Sequence, residues 1–554
     1  MKAYLLYRDR DFDWAAGLPP GHEDLIQDLE LGTLLQAMAA DDKLLYEVST
    51  KVLLTCLDDL EAIRYRQQVL ADCLAHPEVI RQIHAIAVAA LEDRRHMWLG
   101  VYGGNYQSAH SNLSGAVSHL EAYVARLRQL RQIADGNAGT FRSDGMRRLF
   151  ATLQRDLDDD YFEEISDHLS QLRFRAGVLI SAQLDRDNSP AGLVLRAPGE
   201  TRRRWAERLG IEPRTAYSFA IAPRDEAGAQ ILSDLESRGI NLVANAAAQS
   251  ADHIGSYFTM LRAETSFYVG CLNLAGQLAA KEVPVTVPGP APPAPCTLSC
   301  TDLRDACLAL QSQDPVVGND VQADGKQLVV ITGANSGGKS TFLRSAGLAQ
   351  LMMQCGLFVT ARSYQANVTR GIFTHFIREE DSAMTSGRLD DELRRMDTIA
   401  GQITPGSLML FNESFAGTNE REGAEIGYQI VRALLEAQIK VFFVTHRYAL
   451  ADRFHRQHAS ATLSLRAERQ PGGRRDYKLA VSDPLPTSYG EDLYYHLGGW
   501  LEEDQAASPP AAATPNGETG PGRPANPATL DGARADWPDL LPGEGARPDR
   551  GSRR

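Results

Sequence analysis

LVVITGANSGGKST, residues 328–341, is the stretch on which the reading of this 554-residue chain turns. LVVI is a short, unbroken apolar run of the kind that a fully buried parallel strand presents. Gly333 to Ser340 then matches GxxxxGK[ST], and TFLRSAGLAQLMMQ continues with helical character. The residue types have a physical reason. Glycines at 333, 337 and 338 let the backbone curl until successive N–H groups point at one phosphate, and the N-terminus of the next helix adds positive potential. Lys339 is placed to reach the outer phosphates of a nucleotide, and the Ser340 hydroxyl to ligate Mg2+. The pattern alone arises by chance in some chains, but a strand before it and a helix after it make it a nucleotide site. It predicts ATP held by Gly333, Ala334, Asn335, Ser336, Gly337, Gly338, Lys339, Ser340 and Thr341.

About seventy residues on, GSLMLFNES (406–414) reads as a second buried strand ending where such folds carry their metal and water edge. An Asp usually stands first there, holding the metal's water shell, and a Glu second, polarising the attacking water. Here Asn412 takes the first position and only Glu413 keeps its charge. Asn412 can still accept a hydrogen bond from a metal-bound water, so the expected metal set is Ser340, Asn412 and Glu413. A third buried strand, IKVFFVTHRYAL (439–450), ends in Thr445-His446, which puts His446 within reach of a γ-phosphate. Lys339, Glu413 and His446 are the expected catalytic groups. The Asn predicts an ATPase that binds firmly and turns over slowly.

Working outward, strands alternating with helices over 300–500 predict a parallel-sheet α/β domain built around the phosphate loop. Residues 1–183 are helix-like, with apolar positions at i, i+3, i+4 and i+7 in segments such as LSGAVSHLEAYVARLRQLRQIA. From 184 to 250 the pattern is mixed, with strand-like GLVLRA and YSFAIA and short helices at RRRWAERLG and EAGAQILSDLESRG. Helical character returns over 251–283. VPVTVPGPAPPAP holds six prolines and predicts a semi-rigid connector over 284–299. The stretch 503–554 carries nine of the 27 prolines and few large apolar residues, and predicts a disordered tail. The fold expected is multidomain: an α-helical core and lever interrupted by an α/β insertion, then a C-terminal α/β phosphate-loop domain.

Bulk composition excludes several classes. A net charge of -14 argues against coating nucleic acid by overall electrostatics, although local basic surfaces are allowed. No apolar run approaches the length of a membrane helix, and the N-terminus, MKAYLLYRDRDFDW, lacks the form of a signal peptide. Seven cysteines without a CxxC pair fit reduced thiols in a cytoplasm better than a zinc site or disulfides; Cys296, Cys300 and Cys307 match no common metal spacing.

Taken in order, these motifs resemble those of the MutS family of DNA mismatch-repair ATPases, relatives of the ABC-type ATPases. ITGANSGGKSTFLRSAGLAQLMMQCGLFVTA (331–361) is similar to the family's phosphate loop and following helix. GIFTHFIREEDSAMTSGR (371–388) resembles its next segment, NESFAGTNEREG (412–423) keeps Glu413, Gly417, Thr418 and Gly423 of the segment after that, and FFVTHRYAL matches the His-bearing strand. More weakly, TCLDDLEAIRYRQQVLADCL (55–74) and residues 250–283 resemble core and lever helices. The resemblance implies a homodimer in which each ATPase domain completes the other's site, with FAGTN (415–419) on the shared face and Ser386 as the candidate for contact with the partner's γ-phosphate. It implies DNA as the ligand of the helical part and a repair protein downstream.

The departures narrow that expectation. Helical core sequence begins near residue 20, leaving no room for the mismatch-reading module. Phe162-Glu163-Glu164 has the letters of its Phe-x-Glu wedge but sits in an acidic helical stretch. The insertion is small for a DNA clamp, although Arg202 to Trp205 (RRRW) could touch phosphate. Leu389-Asp390 replaces an expected Ser-Thr. Two readings stay open: a DNA-associated ATPase acting on mismatched or structured DNA, or an ATP-driven dimeric switch whose cargo is protein or RNA. A single basic surface formed by Arg94, Arg95, Arg126, Arg128 and Arg131 would favour the first.

Overall fold

The computed structural model describes residues 1–101, 109–137, 139–175, 177–186, 190–196, 220–222, 224–378, 387–468 and 475–486, with backbone only at 94–101 and 184. The described residues gather into one compact unit. The first part is helical: α1 (His22–Asp28), α2 (Leu31–Ala39), α3 (Lys43–Leu54), α4 (Leu60–Ala75), α5 (Pro77–Val101), α6 (Ala109–Gly136), α7 (Asp144–Asp156) and α8 (Asp159–Leu172). Four of them begin where a short polar side chain satisfies first-turn amides: Asp42, Asp59, Ser143 and Asp158 accept N–H groups at the starts of α3, α4, α7 and α8.

A hairpin of β1 (Ile180–Leu184) and β2 (Pro190–Leu195) follows, and then α9, a 55-residue helix from Glu226 to Ala280, about 80 Å long. The strand expected at GLVLRA is present. YSFAIA lies mostly outside the described residues, and the short helix expected at EAGAQILSDLESRG differs from expectation, because it does not end at its glycine. Gly239 lies inside α9 and leaves room for the Ile180 side chain of the hairpin, so it serves close approach and not termination. Small residues along α9 (Ala244, Ala247, Ala251 and Gly255) are buried where it crosses α5 and α6, and Phe258, Leu261, Phe267 and Tyr268 fill the core beyond them. The RRRW segment lies outside the described residues.

The C-terminal part holds two sheets. A four-stranded sheet has the order β3 (Gly289–Ala291), β7 (Ser363–Asn367), β4 (Leu298–Leu303) and β5 (Asn319–Gln322). The proline-rich connector thus supplies an edge strand, where Pro290 costs no ladder bond on the open side. A six-stranded sheet has the order β12 (Leu479–Val481), β11 (Thr462–Ala467), β6 (Leu328–Gly333), β10 (Lys440–Val444), β9 (Leu408–Asn412) and β8 (Ile372–Phe376), all parallel except β12. Its strands read as unbroken apolar runs because both faces are covered. One face, with Val329, Ile331, Leu410 and Phe442, joins the core shared with the helical part and α11 (Lys339–Gln354). The other, with Val330, Met409, Phe411 and Phe443, packs against α12 (Arg388–Ala400), α13 (Glu420–Glu436) and α14 (Tyr448–Gln457). A one-turn helix, α10 (Ala306–Gln311), bridges to α2.

The helical part is tied directly to α11. Arg66 of α4 is fully buried, with Nε donating to the Leu6 carbonyl at 3.2 Å and Nη1 to the Cys355 carbonyl at 2.9 Å, where α11 ends. A cation there also meets the negative end of the helix dipole.

Candidate functional site

The loop from β6 into α11 has the curl its glycines predict. Gly333 and Gly338 have φ of 105° and 88°, and Ser336 has 55°. At Gly333 no other residue fits, since a Cβ would lie 2.4 Å from the Ala467 carbonyl oxygen. Lys339 is buried and folds back on this loop, its Nζ 3.2 Å from the Gly333 carbonyl and 2.9 Å from that of Ala334. Burial pushes the ammonium down to about 8, opposed by the Glu413 carboxylate nearby.

The end of β9 brings Asn412 to the same place. Ser340 Oγ donates to Asn412 Oδ1 at 2.9 Å. Glu413 follows in a left-handed turn (φ 54°), its N–H bonded to the Val444 carbonyl at 2.9 Å. Its Oε1 lies 2.7 Å from His446 Nε2, just past the end of β10. That hydrogen bond, and then the nearby His446 and Lys339 charges, hold the carboxyl below the ordinary glutamate range although burial opposes them.

These groups share one cavity of about 840 Å³, lined by Asn335 to Thr341, Glu413 and His446. Its far wall was not expected from sequence: Leu308, Pro315, Val316, Val317, Asn319 and Tyr477 complete it. Those residues offer an apolar and aromatic surface on the scale of a flat heterocycle. Tyr477 is half exposed and left-handed (φ 59°), with its carbonyl held by the Asn319 amide at 3.3 Å. The signal in sequence was only DPVV and a tyrosine in RRDYK, neither of which is a motif.

Among the described residues, no cluster of three or more His, Cys, Asp or Glu is arranged to hold a metal. The neutral oxygens of Ser340 and Asn412 sit side by side. That donor set suits an ion carried in on phosphates, as Mg2+ commonly is, and not a resident one. Ser386 lies outside the described residues. Gly417 packs with its Cα against α12, where a Cβ would come 2.6 Å from the Leu389 amide. Gly423 leaves space for the Arg447 guanidinium, and Thr418 donates to Glu422 at 2.6 Å.

Of the arginines weighed as a nucleic-acid surface, Arg126, Arg128 and Arg131 are engaged internally. Arg126 pairs with Asp93 at 2.9 Å, Arg131 with Asp135 at 2.9 Å and with the Leu157 carbonyl, and Arg128 bonds the Phe162 carbonyl and lies 4.4 Å over its ring. The side chains of Arg94 and Arg95 lie outside the described residues. Phe162 is buried in α8 and is a core residue, as its surroundings in sequence suggested. All seven cysteines are free, and among the described residues no helix is long and apolar enough to cross a membrane.

Residues 58–281 match the family described as MutS2 N-terminal domain, and residues 329–492 match MutS domain V. The DNA mismatch repair protein MutS of Porphyromonas gingivalis is 32% identical over 163 residues, 27% of this chain and 18% of that protein. MutS of Thermus aquaticus is 31% identical over 181 residues, 32% of this chain and 22% of its own. The human MutS protein homolog 4 is 31% identical over 137 residues, 25% of this chain and 15% of its own. The matched stretches therefore span less than a quarter of these relatives' length.

Proposed function

The chain belongs to the MutS family, and from that premise we propose that its α/β part binds and hydrolyses ATP and uses the nucleotide to close a dimer on DNA. The observation that carries this reading is the single cavity that joins the phosphate loop to Glu413 and His446.

ATP would lie with its phosphates in the curl of Gly333 to Thr341 and its base against Val317 and Tyr477. Lys339 would leave the Gly333 and Ala334 carbonyls for the phosphates. Mg2+ would be held by the phosphates, the Ser340 hydroxyl and, through water, Asn412 and Glu413, and when bound it neutralises charge on the transferring group. Glu413, kept ionised by His446, would take a proton from water as its oxygen bonds the γ-phosphorus and the bond to the β-phosphate oxygen breaks, releasing ADP and phosphate. His446 would hold Glu413 in place and contact the γ-phosphate. Without the usual Asp the step is expected to be slow.

Two copies would close face to face, with the 415–419 turn and Ser386 of each completing the other's site. The helical part, residues 1–183 and 251–283, would act as core and lever, 184–250 as a reduced clamp, 284–299 as the connector and 300–500 as the ATPase. Mismatched or structured DNA is the proposed ligand, leading to repair or recombination with a repair-protein partner. The alternative cargo is protein or RNA; the internal pairing of Arg126, Arg128 and Arg131 and the net charge of -14 favour protein, since RNA carries the same phosphate charge as DNA. Salt-titrated binding to mismatched, branched and plain duplexes, with and without Mg·ATP, separates the two: DNA binding that ignores both structure and nucleotide sinks the first. Sedimentation of Glu413→Gln with saturating Mg·ATP tests the dimer, which a persistent monomer overturns.

A further inference from the structure

The turn after β9 is held by side chains that the nucleotide cavity does not contain. Glu413 and Phe415 both adopt left-handed backbone, φ 54° and 64°. Non-glycine residues keep that conformation only where their surroundings impose it. Between them Ser414 is buried, its Oγ 2.7 Å from His375 Nδ1 and 2.6 Å from the His375 carbonyl oxygen. His375, in β8, has no exposed surface, and its ring stacks on Phe415 with centroids 5.3 Å apart.

The other ring nitrogen reads a different element. His375 Nε2 lies 2.9 Å from the Glu392 carbonyl of α12. A carbonyl oxygen only accepts, so Nε2 carries the proton. Burial pushes the imidazole down to about 4, which leaves the ring neutral and makes Nδ1 an acceptor that shares the single Ser414 hydroxyl proton with the His375 carbonyl oxygen. Glu392 also meets the far end of the turn. Its Oε2 accepts the Gly417 N–H at 3.3 Å, while Oε1 is buried without a partner. From the opposite side the Arg447 guanidinium donates to the carbonyls of Ser414 and Phe415.

We infer that His375 is a positioning residue for hydrolysis, acting through Ser414 to aim the Glu413 carboxylate into the cavity, with the Glu392 carbonyl setting its tautomer. This rests on the reading of Glu413 given above. A structural bond to an arbitrary loop would affect stability. A bond to the residue between a strained Glu413 and Phe415 also sets where that carboxylate points, and small misplacements of such a group are costly.

The test compares His375→Leu, His375→Asn and Ser414→Ala with the unaltered chain, measuring single-turnover ATP hydrolysis, ATP affinity and thermal melting. His375→Leu and Ser414→Ala are expected to slow hydrolysis by about tenfold or more with affinity held within about twofold. His375→Asn, which keeps an acceptor facing Ser414, recovers part of the rate. In a Glu413→Gln background His375→Leu adds no further loss, because the residue it acts through is already disabled. Unchanged rates in both His375→Leu and Ser414→Ala beside a disabled Glu413→Gln overturn this inference alone, as does a loss that persists in full in that background. A wild-type rate in Glu413→Gln overturns the functional reading and this one with it. Should His375→Leu not fold, Ser414→Ala decides by the same criteria.

Discussion

The Ser340 hydroxyl donates to the Asn412 side-chain carbonyl across 2.9 Å, joining the phosphate loop to the end of β9, two strands away in the sheet, by one neutral hydrogen bond. A carboxylate at 412 would make the same bond and add a charge beside the phosphates. Asn412→Asp is therefore expected to lower the Mg2+ concentration for half-maximal ATP turnover by about tenfold and to raise turnover. Mg2+ titrations of steady-state hydrolysis check this, and a slower Asp variant contradicts it.

Glu413 bonds His446 at 2.7 Å and stays ionised below the ordinary glutamate range. Replacing it by Gln keeps the shape and removes the base. Hydrolysis should fall by about a hundredfold or more while ATP binding survives. Because the carboxylate is depressed, activity should hold to lower pH than a free glutamate would allow before its acid limb appears. Single-turnover assays between pH 4 and 8 read both effects.

Lys339, pushed down to about 8 by burial, should regain its full charge when a triphosphate replaces the Gly333 and Ala334 carbonyls. Bound phosphate raises the lysine above its free value, so binding above pH 8 takes up a proton and affinity falls as pH rises. Below pH 8 this lysine adds no pH dependence. Calorimetry at pH 8.5 in buffers of different ionisation enthalpy measures the uptake, and Lys339→Ala should abolish it together with most of the affinity.

Glu264 of α9 accepts the Leu5 N–H at 2.6 Å and the Leu6 N–H at 3.4 Å, pinning the N-terminal segment, yet burial raises its carboxyl to about 7. With the folded value above the unfolded one, its stabilising contribution is complete below the ordinary glutamate range and is lost as pH rises through 7. Glu264→Gln should therefore stabilise the protein at pH 8 by at most about 3 kcal/mol and change little near pH 4.5. Urea melts at the two pH values test this. Equal effects at both would show that ionisation is not involved.

The curl of the loop at 333–338 was legible in sequence because its cause is local: GxxxxGK[ST] needs only its own glycines and the flanking strand and helix to set that backbone path. Asn412, Glu413 and His446 were legible because each stands at the end of an apolar run, and parallel strands of one sheet align their ends. The far wall was not, since Val317 and Tyr477 are 160 residues apart and carry no spacing that announces a contact. The same holds for Gly239, read as the end of a short helix until the Ile180 hairpin gave it another use.

Sequence by itself determined which residues can curl around phosphate, which strands are buried on both faces, and which helices carry apolar stripes, all matters of short-range geometry and periodicity. Tertiary structure alone decided that Arg126, Arg128 and Arg131 turn to internal partners, that Arg66 ties the helical part to α11, and that His375 reaches both Ser414 and Glu392. The physical reason is that a charged or polar side chain takes whichever partner folding brings within about 3 Å, and for residues far apart in the chain no local pattern says which that will be.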